Sequence, residues 1–275
     1  MASQQSISTL SIVFMSISAA LSILVPIGTV IFMGIKKRLN WKAMLCGALL
    51  FFIFVLILEN LMHVAVLGSD PTKSPIYNDP ILYMIYGGFA AGIFEETARL
   101  LGFKFLIKVN KNESIDTGIS YGLGHGGIEA ILIGGLTAVG NLITSVMLNS
   151  GVLNSMTGTM NSEELESFNG AVKALSTTPP DMFLVSGIER LIALVLQISL
   201  SLFILKAAAE KKWLYFIYAI LIHAGVDMLA ILFKTDVIRD IYVLEALVLL
   251  ATAAAAIIAF RISKRKPLED LPGVQ

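Results

Sequence analysis

Long apolar stretches alternate with short charged segments along almost the whole chain. Seven of the stretches reach about 20 residues or more, the length that an α-helix needs to cross the hydrocarbon core of a bilayer. They are Ile7–Ile35, Ala43–Leu67, Pro80–Lys108, Ile115–Met147, Met182–Ala208, Trp213–Phe233 and Asp236–Phe260. The pattern therefore predicts an all-α fold, a polytopic membrane helix bundle with about seven transmembrane helices in one integral membrane domain over residues 1–275.

Basic residues predict the orientation of this bundle. Fourteen follow the first, third, fifth and seventh predicted helices: Lys36, Lys37, Arg38, Lys42, Lys104, Lys108, Lys111, Lys206, Lys211, Lys212, Arg261, Lys264, Arg265 and Lys266. The opposite loops hold four: Lys73, Lys173, Lys234 and Arg239. Because positive charge is retained in the cytoplasm, we expect the N-terminus outside and the C-terminus inside. We expect a multi-pass protein of a bacterial plasma membrane, with a first helix that is retained because its start, "MASQQSIST", lacks basic residues.

The composition narrows the class of protein further. The chain is 56% hydrophobic and its formal net charge is zero, so nothing indicates nucleic acid as a partner. The single cysteine, Cys46, excludes an intrachain disulfide and a zinc site made of several thiolates. In the external loop 149–181, Asn161 or Ser162 is a candidate cap for a short surface helix with acidic residues in its first turn.

Ionisable residues interrupt the apolar stretches. Each costs about 2.5–3.5 kcal/mol at membrane depth on insertion scales, so such residues usually mark a functional site or a structural polar pair. The set comprises Glu59, His63, Glu95, Glu96, Arg99, His125, Glu129, Glu189, Arg190, His223 and Asp227. It includes all three histidines of the protein.

Helical spacing joins several of these residues into pairs. His125 and Glu129 are one turn apart, as are His223 and Asp227, so each pair shares one helix face. A histidine and a carboxylate one turn apart can bind one metal ion, or the acid can orient the imidazole. Both pairs and the glutamates near Arg99 fall at about 15 Å below the inner surface. The layer predicts a zinc site with an open position for water.

The remaining polar residues have plainer interpretations. Glu59 and His63 lie near the outer end of the second helix, which favours a structural role or a role in substrate access. Glu189 and Arg190 are nearer the outer face, which favours an interpretation as a structural ion pair or as part of an interface. A lone intramembrane histidine is also more often a hydrogen-bonded packing residue than a metal ligand.

Four motifs together resemble the YhfC family of membrane peptidases over nearly the whole chain. They are "EETAR", "YGLGHGGIEAILIGG", "GIERLIALVLQ" and "HAGVD". That family is similar to the clan of CAAX-prenyl proteases and bacteriocin-processing enzymes (CPBP) and of PrsW proteases. The clan pattern has paired glutamates followed by arginine, a histidine on the next helix and a later HxxxN or HxxxD. Here Arg99 comes one residue sooner than in the common EExxxR form.

The resemblance implies hydrolysis of a peptide bond inside the membrane by a metalloprotease or glutamate-type protease. It assigns catalytic roles to Glu95, Glu96 and Arg99, with Glu95 as the base. It implies that His125 and His223 bind a zinc ion, or hold the water and the oxyanion directly. Glu129 and Asp227 are then a third metal ligand or acids that orient the imidazoles, and Gln197 has a supporting position. The implied substrate is a membrane-anchored or lipidated peptide in the lipid bilayer.

Two other functions compete with the protease. A proton- or metal-coupled transporter would also place carboxylates and histidines in the membrane. However, these residues cluster at one depth, and the chain lacks an inverted repeat that would suggest a transporter. A non-catalytic membrane scaffold or binding protein with the same fold is the second alternative.

Overall fold

The computed structural model describes residues 6–110, 113–152, 158 and 160–264, and these residues form helices and turns without any strand. Lys111, Arg265 and Lys266 of the charge count lie outside the described residues. The predicted all-α membrane fold is confirmed. The α-helices are α1 (Thr9–Ile35), α2 (Trp41–Phe51), α3 (Asn60–Leu67), α4 (Pro75–Asn78), α5 (Pro80–Asn110), α6 (Ile115–Glu129), α7 (Leu136–Asn149), α8 (Ser162–Thr177), α9 (Pro180–Glu210), α10 (Trp213–Lys234) and α11 (Ile241–Lys264).

Two π-helical segments continue the helical path between neighbouring α-helices. Phe52–Glu59 joins α2 to α3, and Ala130–Gly135 joins α6 to α7. A π-helical turn widens the backbone spiral locally and often occurs at functional sites. The first of these segments ends at the buried Glu59, and the second begins directly after Glu129.

Six helical stretches of the described residues are long and apolar enough to cross a membrane: Thr9–Ile35, Trp41–Lys73, Ile115–Asn149, Pro180–Glu210, Trp213–Lys234 and Ile241–Lys264. The other predicted segment forms α5, which has 31 residues and is about 46 Å long along its axis. Charged residues in the middle of α5 lower its hydropathy, so hydropathy alone does not identify this helix as a membrane span. The number of seven spans stays a prediction.

The chain divides into two compact units. The first comprises Met1–Gly28 and Glu129–Leu191. Its apolar core brings together Ile7, which precedes α1, and residues of α1, α7 and α8: Met15, Leu148, Val172 and Leu175. Helix α8 begins with a capping box, in which the Asn161 side chain accepts from the Glu164 N–H and the Glu164 carboxylate accepts from the Asn161 N–H. These bonds satisfy backbone donors at the start of α8.

The second unit comprises Thr29–Ile128 and Ile192–Gln275. In it, α5 packs closely against α10 because glycines face the neighbouring backbone. A Cβ atom at Gly92 would lie 2.9 Å from the Ile220 carbonyl oxygen, and one at Gly88 would lie 2.7 Å from that of Ala224. Small residues let membrane helices approach one another in this way. The close contact sets the distance between the glutamates of α5 and the polar residues of α10.

Glycines also position α6 within the second unit. A Cβ atom at Gly122 would lie 2.5 Å from the Ile198 Cα, and one at Gly126 would lie 2.7 Å from the Gln197 Cβ. On another face of α6, a Cβ atom at Gly124 would overlap the Met44 backbone of α2. The glycine-rich motif therefore lets α6 contact both α9 and α2 closely, with His125 between these contacts.

We expect the charge bias to decide the orientation of the bundle. A reporter fused after Arg38 or at the C-terminus should be cytoplasmic, and one inserted within 149–181 should be external. Paired green fluorescent protein and alkaline phosphatase fusions measure this, because each is active on one side of a bacterial membrane. Phosphatase activity of the C-terminal fusion would contradict the predicted orientation.

Candidate active site

Four helices of the second unit bring polar side chains to one buried point. Helix α5 supplies both glutamates and the arginine of the EETAR motif, and α6, α9 and α10 each supply one or more further groups. At most a few per cent of each central residue is exposed: Glu95, Glu96, Arg99, His125, Gln197 and His223. The glutamates near Arg99, His125 and His223, which the sequence places at one depth, lie together here, and Gln197 joins them.

One carboxylate oxygen of Glu95, Oε2, lies at the centre of the cluster. It lies 2.8 Å from Nε2 of His125 and 3.1 Å from Nη2 of Arg99. Nε2 of the Gln197 amide lies 3.3 Å away, and Nε2 of His223 lies 3.7 Å away. Nitrogen atoms from four helices therefore surround one oxygen. Such donors stabilise a negative charge that the bilayer interior would otherwise disfavour.

Glu96 lies beside Glu95 but has different partners. Its Oε1 is 2.7 Å from Nδ1 of His223 and also accepts a hydrogen bond from Arg99. Its other oxygen, Oε2, is buried and has no hydrogen-bond partner among the described residues. Helix geometry alone left open which glutamate pairs with Arg99, and the structure shows that the forked guanidinium binds both.

The two histidines of the cluster are held in different ways. The His223 ring lies between acids, since Nδ1 contacts Glu96 while Nε2 is 3.6 Å from Oδ2 of Asp227, which is 34% exposed. The His125 ring instead packs against aromatic rings, with its centre 5.0 Å from that of Phe51. Its Nδ1 is buried and has no hydrogen-bond partner among the described residues.

The donor atoms near His125 suit a metal ion. Glu129 ends α6 one turn after His125. Within the second unit, Oε2 of Glu95 lies 2.8 Å from Nε2 of His125 and 3.7 Å from Nε2 of His223. Imidazole nitrogens and carboxylate oxygens are ligands that zinc accepts, and three protein ligands leave a position for water. The unpartnered Nδ1 of His125 leaves a further nitrogen available. The residues present therefore fit a zinc ion in their chemistry.

Glu59 and His63 form a separate cluster in the second unit. Nε2 of His63 lies 3.4 Å from Oε1 of Glu59, and its Nδ1 lies 2.6 Å from the Tyr86 hydroxyl. The sequence did not single out Tyr86, because a tyrosine near the end of a membrane helix is common. These residues form their own hydrogen-bonded group.

Glu189 and Arg190 belong to the first unit. The Arg190 guanidinium pairs with Glu189, and its Nη1 lies 3.5 Å from Oε1 of Glu129. The sequence suggested a pair of neighbours only. A Cβ atom at Gly134 would lie 2.8 Å from the Arg190 Cδ, so the glycine leaves space for the arginine side chain that reaches Glu129.

Gln197 is closer to the centre than its supporting assignment suggested. Its Nε2 approaches Glu95, and its Oε1 accepts a hydrogen bond from Arg99. Sequence reasoning set this residue aside because glutamine is a poor zinc ligand. The sequence did contain a signal, because Gln197 is a polar amide at the end of the apolar stretch "LIALVLQ" and a buried amide needs hydrogen-bond partners.

Comparisons with known proteins agree with the motifs. Residues 21–248 match the profile of a family described as YhfC intramembrane metalloprotease. The chain is 34% identical over 243 residues to the "Uncharacterized membrane protein YhfC" of Bacillus subtilis (strain 168). The aligned region covers 88% of this chain and 93% of that protein. No solved structure matches the chain significantly. The likeness to the CAAX-prenyl protease and PrsW clan stays a prediction, but the chain belongs to the YhfC family, as its four motifs indicated.

Proposed function

We propose that this protein is an intramembrane endopeptidase that hydrolyses a peptide bond of a membrane-associated protein or peptide. The single observation that carries the proposal is the Glu95 carboxylate, buried within the helix bundle and surrounded by nitrogen atoms from four helices. A positioned carboxylate next to potential metal ligands is the arrangement that activates water for hydrolysis. The family's description as a metalloprotease supports the same reaction.

Glu95 acts as the general base. It is 6% exposed whereas Glu96 is fully buried, so water approaches Glu95 more easily. Glu95 takes a proton from this water while the water oxygen attacks the carbonyl carbon of the scissile bond. The same proton then passes to the leaving nitrogen as the carbon–nitrogen bond breaks. The products are a carboxylic acid and an amine.

The neighbouring residues hold this base in position. Arg99 binds both glutamates and offsets part of their negative charge. Glu96 in turn holds the ring of His223 through Nδ1, which leaves Nε2 directed to the side of Glu95 and Asp227. The amide of Gln197 is a hydrogen-bond donor for the oxygen anion that develops on the attacked carbonyl. In a mechanism without a metal ion, Nε2 of His223 would take the same role.

A metal ion would be held by His125, Glu129 and His223, with Asp227 orienting the His223 ring. A bound zinc ion acts as a Lewis acid that makes water a nucleophile at neutral pH and polarises the carbonyl group. Oε2 of Glu95 lies 2.8 Å from Nε2 of His125 and 3.7 Å from Nε2 of His223. Its carboxylate is therefore within reach of a water molecule at such a site.

The substrate is proposed to be a membrane-anchored or lipidated peptide. The helices that surround the cluster expose large apolar side chains over most of their outer surface, as lipid contact requires. A segment that reaches buried Glu95 must itself enter the bilayer. Membranes that contain the protein should therefore show new peptide N-termini within or beside membrane-spanning segments. Mapping these N-termini in cells with and without the protein identifies a reporter peptide.

Metal removal tests the mechanism with such a reporter. Treatment of the reconstituted protein with 1,10-phenanthroline should lower the cleavage rate by at least about tenfold, and added zinc should restore it, because the ligands remain in place when the ion leaves. Cleavage is measured by mass spectrometry of the reporter, beside zinc content. Unchanged cleavage by a metal-free preparation would contradict the metal-assisted mechanism but leave glutamate-driven hydrolysis open to the test of Glu95.

A further inference from the structure

A cavity of the second unit lies where the C-terminal part of α5 meets the turn between α9 and α10. Its volume is about 350 Å³. Its wall is apolar and is formed by Leu100, Ala207, Ala208 and Phe216. Such a wall accommodates a hydrocarbon chain but offers no hydrogen bond to a polar ligand. The cavity is separate from the Glu95 cluster, although Leu100 directly follows Arg99 in α5.

Two lysines and a tryptophan complete the lining of this cavity. Nζ of Lys104 lies 5.1 Å from the centre of the Trp213 ring. Lys211 is exposed in the turn after α9, and the lining contains no acidic residue. Within the described residues neither lysine forms an ion pair. The nearby carboxylate of Glu210 pairs instead with Lys206 and Lys212. The cavity therefore joins an apolar wall to two positive charges that no carboxylate compensates.

We infer that this cavity binds an anionic phospholipid, with its phosphate between Lys104 and Lys211 and an acyl chain against the apolar wall. Tryptophan and lysine at the ends of membrane helices lie at the depth of lipid headgroups. Basic pockets between helices at this depth attract anionic headgroups. The inference does not depend on the proposed peptidase activity, since it rests on the charge and shape of a different cavity.

Another basic cavity of the second unit shows the contrast. Its basic lining residues are Lys37, Arg38 and Lys42, and most of its other lining residues are polar. Arg38 is already paired with Asp116 at 2.6 Å. This cavity has basic groups but no extended apolar wall for an acyl chain, so we do not assign it to a phospholipid.

Tryptophan quenching tests the inference at the site itself. The protein contains two tryptophans, so the Trp41→Phe variant leaves Trp213 as the reporter in the cavity. This variant is reconstituted in vesicles with brominated phosphatidylglycerol or brominated phosphatidylcholine, whose bromine atoms quench fluorescence on contact. We expect Trp213 to prefer phosphatidylglycerol by about tenfold, since each lysine near the surface favours an anionic lipid. Adding Lys104→Gln and Lys211→Gln should remove this preference.

Three comparisons separate a specific site from general surface charge. The pair Lys37→Gln and Lys108→Gln is a matched control, because Lys37 shares the positive φ of Lys211 and Lys108 lies one turn after Lys104. This pair should keep the preference at Trp213. Ala208→Phe, which fills the cavity without changing charge, should abolish it. In Trp213→Phe, Trp41 should show no comparable preference. Equal quenching of Trp213 by both lipids, an unchanged preference in Ala208→Phe, or equal loss in the control pair would overturn the inference.

Discussion

Glu95→Gln should lower the rate of reporter cleavage at least about 100-fold, as loss of a general base typically does. Glutamine keeps the shape of the side chain, and its one carbonyl oxygen can take the place of Oε2 among the surrounding nitrogen atoms. It cannot accept the proton of the attacking water. The variant should therefore remain folded and keep any bound zinc while turnover falls. Single-turnover cleavage, zinc content and thermal stability in the same preparation measure the three properties.

Glu59→Gln is the matched control for this variant. Glu59 is also 6% exposed and lies in the second unit, but its partner is His63 in the separate cluster. Its replacement removes a buried carboxylate without touching the Glu95 cluster, so cleavage should stay near the wild-type rate. If Glu95→Gln also cleaves at that rate, the base is Glu96. If both glutamates of α5 tolerate glutamine, the proposed mechanism is wrong.

His125→Ala and His223→Ala should each lose bound metal and cleavage together. Each change removes an imidazole from the proposed ligand set, and the remaining carboxylates bind zinc poorly without it. We expect zinc affinity to fall at least about 100-fold, beyond the effect of losing a residue that only orients a ligand. Zinc is measured by elemental analysis after dialysis against a buffered zinc concentration, beside cleavage of the reporter.

His63→Ala controls for the loss of any intramembrane histidine. His63 contacts Glu59 and Tyr86, so its variant should keep both zinc and activity. Thermal unfolding in detergent shows whether each alanine variant is folded. Folded His125→Ala and His223→Ala proteins that retain wild-type zinc would place the metal elsewhere. Retained zinc with lost cleavage would indicate that the histidines act on water or the carbonyl oxygen directly.

The amino-acid sequence was sufficient to predict the membrane fold and the local pairs of the site. Apolar length predicts spanning helices because backbone groups in hydrocarbon must bond within their own helix. The spacing of His223 and Asp227 places both on one face because a helix turns once in 3.6 residues. A cap at Asn161 or Ser162 was also predicted, since a polar side chain before acidic residues compensates the free donors at a helix start, and the structure assigns it to Asn161.

Which of these helix faces contact one another follows only from the packing of the helices. Glu95 contacts His125 and Gln197, which are 30 and 102 residues away in the chain. Helical periodicity describes one helix and carries no information on the angle or distance to the next. Packing at positions such as Gly92 and Gly122 sets those distances, because only their missing side chains allow the backbones to approach. For the same reason, only the assembled helices show that Arg99 binds both glutamates and Gln197 at once.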